Sequence, residues 1–164
     1  MFTIKLKQQL TISEGNLLAE IETGNMANLG LEVSDSDKEL WITSLKDNIA
    51  KGNTNLYVGY MDGNLCCFVT IYHKDNELWL SEFEIAEKYK NTKVVIRMIE
   101  KLMEVNYLKD YSCIYFKINK TNTKSQKTFE HLGAKMVKEN EKSFTYSLSK
   151  DDVANYLVKL NSKH

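Results

Sequence analysis

The chain has no proline among its 164 residues, so neither a cis-proline turn nor a proline helix stop is available to it. No apolar run approaches the ~20 residues needed to cross a bilayer. The opening Met1-Phe2-Thr3-Ile4-Lys5 lacks the pattern of a signal peptide, so neither a membrane partner nor secretion is expected. Cysteine is scarce: Cys66, Cys67 and Cys113, an odd number without metal-type spacing, read as reduced, buried thiols of a cytoplasmic protein. His73, His131 and His164 form no pair with ligand spacing, so no metal site is expected. Neither sign of charge dominates. Lys plus Arg and Asp plus Glu are both 22, a formal net charge of zero, which argues against a nucleic-acid partner.

What is present is an ordinary globular composition, 43% hydrophobic and 27% charged, in a length suited to one domain with a sizeable core. Phe2 to Leu6 alternates as a strand. Ser13 to Thr23 reads as a short helix, and Gly24 to Ser34 as a loop or broken helix. Ser36-Asp37-Lys38-Glu39 fits a capping box, followed by Trp41, Leu45 and Ile49 at four-residue steps. Asn55–Tyr60 and Leu65–Tyr72 form two strands joined by an Asp62-Gly63 hairpin turn.

The centre of the chain is the stretch that follows. Glu77 to Ile85 alternates as a strand, with Trp79, Phe83 and Ile85 on one face and Glu82 and Glu84 on the other. A polar turn, Glu87 to Lys93, leads into a helix with Val95, Met98, Ile99, Leu102 and Val105 at helical spacing. Ser112–Ile118 is the next strand, and the helix between the two makes a crossover that sets them parallel. A helix to Leu132, a closing hairpin around Asn140 and a terminal helix from Ser149 complete the order. The expected fold class is mixed α/β: six to seven strands flanked by four helices over 1–148, with a helical extension at 149–164.

Strand, turn and helix together place first-turn amides and a helix dipole near the strand end, an arrangement that favours an anion. Lys88, Lys90, Lys93 and Arg97 add positive charge there. Glu82 and Glu84 lie two apart on a strand, about 7 Å between Cα atoms. Their repulsion lifts one pKa towards the range useful to a general base, although two solvated carboxylates are the commoner identity of such a pair.

The specific signal comes late. Asn122-x-x-Ser125-x-x-x-Phe129-Glu130-x-Leu132-Gly133 resembles the late helix of the GNAT N-acetyltransferase superfamily, with phenylalanine at the usual tyrosine position. The element order over 1–148 is similar to that family's as well. The resemblance implies acetyl-CoA as cosubstrate, bound between two splayed parallel strands, and an amine acceptor that attacks the thioester directly. It places the pantetheine arm along Phe83 and Ile85. The pyrophosphate falls at Lys90, Asn91, Thr92, Lys93, Val94 and Val95, and the thioester end near Asn122, Ser125 and Phe129. Glu82 or Glu84 is then the base. Tyr115 or Tyr89 takes the proton-donating role that Phe129 lacks. The acceptor site falls to residues 20–35 and the hairpin at Asn140, and a homodimer is compatible with the family. Two departures carry an alternative. The family's turn has small residues where this chain has Asn91, Lys93 and Val95, and Phe129 has no hydroxyl. Both suit a non-catalytic binding module on the same fold.

Overall fold

A computed structural model describes residues 1–90, 92–105 and 110–163; Asn91, expected in the pyrophosphate turn, and His164 lie outside them. Seven strands form one sheet: β1 (Phe2–Lys7), β2 (Asn55–Met61), β3 (Asn64–Lys74), β4 (Glu77–Ile85), β5 (Cys113–Asn119), β6 (Lys135–Glu139) and β7 (Ser143–Ser149). Their order across the sheet is β1-β2-β3-β4-β5-β7-β6, and β4 and β5 are the parallel pair, as the crossover requires. The described residues also form five α-helices: α1 (Ile12–Asn28), α2 (Asp35–Ala50), α3 (Thr92–Glu104), α4 (Thr123–His131) and α5 (Lys150–Asn161). This is the mixed α/β architecture expected, seven strands with four helices and a terminal one.

The two faces bury different sets. Helix α3 lays Val94, Val95, Met98, Ile99 and Leu102 into a core with Val69, Ile71, Leu78, Ile114, Phe116 and Leu148, and α5 adds Val153. On the other face, Leu18 of α1 and Leu45 of α2 pack with Leu56, Val58 and Phe68. The hairpin turn before β3 places Asp62 and Gly63 at φ 50° and 83°, the backbone that an Asp-Gly pair adopts readily.

Three local expectations are corrected. Helix α2 starts before the apparent Ser36 box: Ser34 is the N-cap and Asp37 the reciprocal partner, with Ser34 Oγ accepting from the Asp37 amide at 3.1 Å. Helix α1 is not short. Capped by Thr11 and Glu14, it runs through Gly24 to Asn28. Its last turns are held from outside, because Asn25 Nδ2 donates to Glu84 Oε2 at 2.5 Å and to the Ile85 carbonyl at 3.2 Å, and Asn28 Nδ2 donates to Glu87 at 3.0 Å. Tertiary bonds of this kind outweigh the ~1 kcal/mol that a mid-helix glycine costs.

The third correction concerns β4. Its pairing with β3 shifts register between Thr70 and Ile71, which face Glu82 and Leu80 respectively, leaving Ser81 as a bulge. Leu78, Leu80, Phe83 and Ile85 therefore all meet the α3 core, while Trp79 stands on the opposite face, stacked on Tyr72 and tilted against Tyr115. Trp79 shares its face with Glu82 and Glu84 rather than with Phe83. A strict alternation hides one extra residue of this sort.

Gly24 is exposed, and a Cβ placed on it would meet nothing within 4 Å, so Gly24→Ala should stabilise the protein by about 1 kcal/mol in chemical denaturation. A loss of stability would show that α1 does not continue through that position.

Candidate active site

The parallel ladder between β4 and β5 is short. Leu78, Trp79 and Leu80 face Ile114, Tyr115 and Phe116, and the register ends there. Beyond it, residues 82–85 pair with β3, while residues 117–119 pair with β7. The strands part after Leu80, and the Glu82–Ile85 backbone turns an edge towards the gap. Phe129 of α4 fills the core side of the opening, its ring 4.7 Å from Phe116 and 6.1 Å from Phe83, centroid to centroid.

Helix α4 shows what its sequence pattern does locally. Asn122 is the N-cap, accepting from the Ser125 amide at 3.2 Å. Glu130 accepts from the Tyr146 hydroxyl at 2.7 Å, and Leu132 is buried in the core. Gly133 takes φ +102°, and a Cβ there would come within 3.1 Å of the Asp152 side chain. Each of these residues therefore has a packing or capping task that is independent of any ligand.

Between β4 and α3 lies a 3-10 turn, Glu87–Tyr89, then Lys90, whose Nζ pairs with Glu87 at 2.8 Å. Lys88 Nζ sits 5.4 Å from the centre of the Tyr89 ring. Lys93 and Arg97 are exposed on the first turns of α3, whereas Val94 and Val95 are buried in the core. Tyr115 lies in the paired part of β5. Phe116, its neighbour, points to Phe129, so Tyr115 occupies the opposite face, against Trp79. Its phenol is pushed above its ordinary value, first by a hydrogen bond with Cys113.

The other face of the gap holds a cluster that the sequence did not reveal. Glu22 of α1 meets Glu82 and Glu84 of β4. Burial, then the charges of Glu84 and Glu82, push the Glu22 carboxyl up to about 8. Burial also raises Glu82 and Glu84; hydrogen bonding from Trp41 acts against this at Glu82, and the Asn25 amide does so at Glu84. Glu22 Oε2 and Glu82 Oε2 are fully buried without a donor from elsewhere in the protein. A buried carboxyl oxygen without a donor is less costly when its group is protonated, and Glu22, raised to about 8, keeps its proton at neutral pH. The sequence signal for Glu22 was its spacing from Leu18 and Ala19, both buried, which puts it on the inward stripe of the helix already expected over Ser13 to Thr23.

Adjoining this cluster is a cavity of about 240 Å³ between α1 and α2, walled by Glu22, Met26, Glu32, Asp37, Lys38 and Trp41. Trp41 is fixed by a tilted contact with Phe68 at 5.8 Å. Residues 20–35 do shape this cavity, while the Asn140 hairpin contributes none of its lining. Among the described residues there is no group of three or more His, Cys, Asp or Glu arranged to hold a metal ion. Among the same residues no helix is long and apolar enough to cross a membrane.

A native pKa raised above the unfolded value means that the folded state binds more protons. Stability is then full below about pH 4.5 and is lost as pH rises towards 8, the value of Glu22. The upward shifts of Glu82 and Glu84 act in the same direction. Glu22→Gln should leave the melting temperature nearly unchanged at about pH 4.5, raise it at about pH 8.5, and flatten the profile between. A variant that melts lower than wild type at the alkaline end would contradict the buried-carboxyl account.

No family model matches the sequence, and no curated protein matches it. Solved structures do match. Apo FdhC, described as a nucleotide-linked sugar GNAT, superposes with a TM-score of 0.73 over 98% of this chain and 93% of its own, at 13% identity. The PaiA N-acetyltransferase from Thermoplasma acidophilum, in complex with coenzyme A, gives 0.65 over 90% and 99%, at 17% identity. The Campylobacter jejuni N-acetyltransferase PseH, in complex with acetyl coenzyme A, gives 0.64 over 92% and 99%, at 10% identity. With its parted parallel strands and an aromatic helix over their junction, this chain has the GNAT fold.

Proposed function

We propose that the protein is an acetyl-CoA-dependent N-acetyltransferase acting on an amine. The observation that carries this reading is the gap after Leu80 and Phe116, with a strand edge on one side and three carboxyl groups with raised pKa values on the sheet face beside it. Two of the solved structures of this fold are complexes with coenzyme A or acetyl coenzyme A, which supports such a ligand for this chain. The Glu82–Ile85 edge offers backbone groups to an extended pantetheine arm in the manner of an added strand. The pyrophosphate belongs at the passage from Lys90 into α3, where Lys93 and the backbone at Val94 and Val95 meet it. The absence of glycine is tolerable at Val95 because its side chain is buried in the core. Phe83 and Phe129, with Asn122 and Ser125 at the head of α4, bound the thioester end.

Acetyl-CoA supplies an activated acetyl group whose thiolate is a good leaving group near neutral pH. The chain's own residues orient the partners and move the proton. An ammonium must lose a proton before it can attack, and a carboxylate raised towards neutrality accepts it more readily than an ordinary one. Glu84, oriented by Asn25, and Glu82, beside Trp41, are the acceptors, with Glu22 adjoining both. The backbone N–H near Ile85 polarises the acetyl carbonyl. Phe129 cannot protonate the departing thiolate, and Tyr115 stands on the other face of the sheet. The low basicity of the thiolate makes solvent a sufficient donor.

Titration with acetyl-CoA tests this directly. Saturation at about a hundred times Kd should stabilise the protein by about 2.7 kcal/mol, read as a higher melting temperature. Lys93→Glu should weaken that binding about tenfold, since a charge-assisted phosphate contact is replaced by repulsion. Glu82→Gln and Glu84→Gln should leave binding intact and slow thiol release by about 10²-fold at one position at least. An unchanged melting temperature at millimolar acetyl-CoA would instead identify a non-catalytic module on this fold.

A further inference from the structure

The cavity beside the carboxyl cluster says what kind of amine belongs there. Its volume, about 240 Å³, is below the ~300–1,000 Å³ of pockets that hold drug-sized ligands, so the part of the acceptor that enters it is small. Its charge is unbalanced: Glu32 and Asp37 face one cation, Lys38, and Glu22 adds a carboxyl that ionises as pH rises towards 8, with Glu82 beside it. Its remaining wall is Ala19, Thr23, Met26, Val33 and the indole of Trp41. Two buried carboxyl oxygens, on Glu22 and Glu82, have no hydrogen-bond partner among the described residues. A small cavity with acidic ends and an aromatic side is complementary to a slender cation bearing N–H groups.

We infer that the acceptor is a small aliphatic diamine, one nitrogen presented to Glu22, Glu82 and Glu84, the other held as an ammonium by Glu32 and Asp37 against Trp41. This rests on the acyl-transfer reading above. The first nitrogen gives a proton to the carboxyl cluster and attacks the acetyl carbon. A C–N bond forms, the C–S bond breaks, and the sulfur leaves as thiolate to be protonated by solvent. The products are the mono-N-acetyl diamine, CoA thiol and one proton. The second ammonium takes no part in the chemistry and serves only to anchor the chain.

The groups around Glu22 also tie binding to pH. Glu82 and Glu84 face it from β4, Asn25 and Lys90 act on Glu84, Trp41 acts on Glu82, and Glu32, Asp37 and Lys38 share the cavity. An arriving ammonium displaces the proton held by Glu22, so affinity should rise as pH increases from about 6 to 8 and binding should release a proton.

The experiment compares 1,4-diaminobutane, n-butylamine and 4-aminobutanoate, as acceptors with acetyl-CoA and as ligands alone by calorimetry. The diamine should exceed butylamine about tenfold in kcat/KM and in affinity, and aminobutanoate should be poorest, because a charge-assisted hydrogen bond contributes on the order of one decade. Glu32→Gln, an exposed position, should bring the diamine to within about twofold of butylamine. Equal rates for the two amines, or a preference for aminobutanoate, with acetyl-CoA binding intact, would overturn the inference and leave acyl transfer standing. Loss of acetyl-CoA binding would instead strike at the acyl-transfer reading. In that case calorimetry with the three amines still decides whether the cavity selects a dication.

Discussion

One extra residue in β4 determines where the chemistry can sit. Without Ser81 as a bulge, the alternation that buries Leu78 and Leu80 would carry Glu82 and Glu84 into the α3 core and turn Phe83 and Ile85 towards α1. Two carboxylates in an apolar core and two large hydrophobes against Glu22 would be the worst arrangement for both faces. The bulge exchanges them. A bulged strand also bends, and the parallel pairing with β5 stops at Leu80, next to that bend. The same residue thus accounts for the carboxyl cluster on one face and for the gap beside it.

The cluster is costly, and its neighbours show how the fold bears it. Three carboxyl groups brought together and partly desolvated would destabilise the protein if all were ionised. Here Asn25 donates to Glu84, Trp41 eases Glu82, and Glu22 retains its proton to about pH 8. Asn25 and Asn28 also clamp the end of α1 onto Ile85 and Glu87, so the helix that brings Glu22 is held by the strand it serves. Removing the charged neighbours would make a more stable protein. The groups are better explained as a site than as a scaffold.

Much of the frame was legible in the chain. The Val95–Leu102 stripe, the Asp62-Gly63 turn and the crossover to the β5 strand are local patterns whose physics needs no distant partner. What escaped depended on distant partners. The exit of α1 looked weak because Gly24 interrupts it, and only bonds to residues far along the chain, at Glu84, Ile85 and Glu87, restore it. The bulge left no mark because a polar Ser81 fits either face. Ser34 and Ser36 offer equally good caps by composition, and reciprocal bonding with Asp37 chooses the first. Glu22 went unnoticed since a carboxylate on the buried stripe of a helix reads as an error of phase until β4 supplies its companions.

The late-helix pattern and the turn before α3 carry different weight. Asn122, Glu130, Leu132 and Gly133 each cap, bond or pack within the protein, so their match to the GNAT pattern supports the fold more than the ligand. The turn is the reverse case. Its missing glycines weaken the resemblance, yet the buried Val95 side chain leaves the approach to the helix terminus to backbone and to Lys93. A Cβ obstructs an anion only if it points at the anion. Val95 points into the core that also holds Ile99 and Leu102, so the substitution that counts against CoA in the sequence is, in the fold, a packing choice. The proposed acyl transfer therefore rests on the parted strands and the carboxyl cluster, and the altered turn does not count against it.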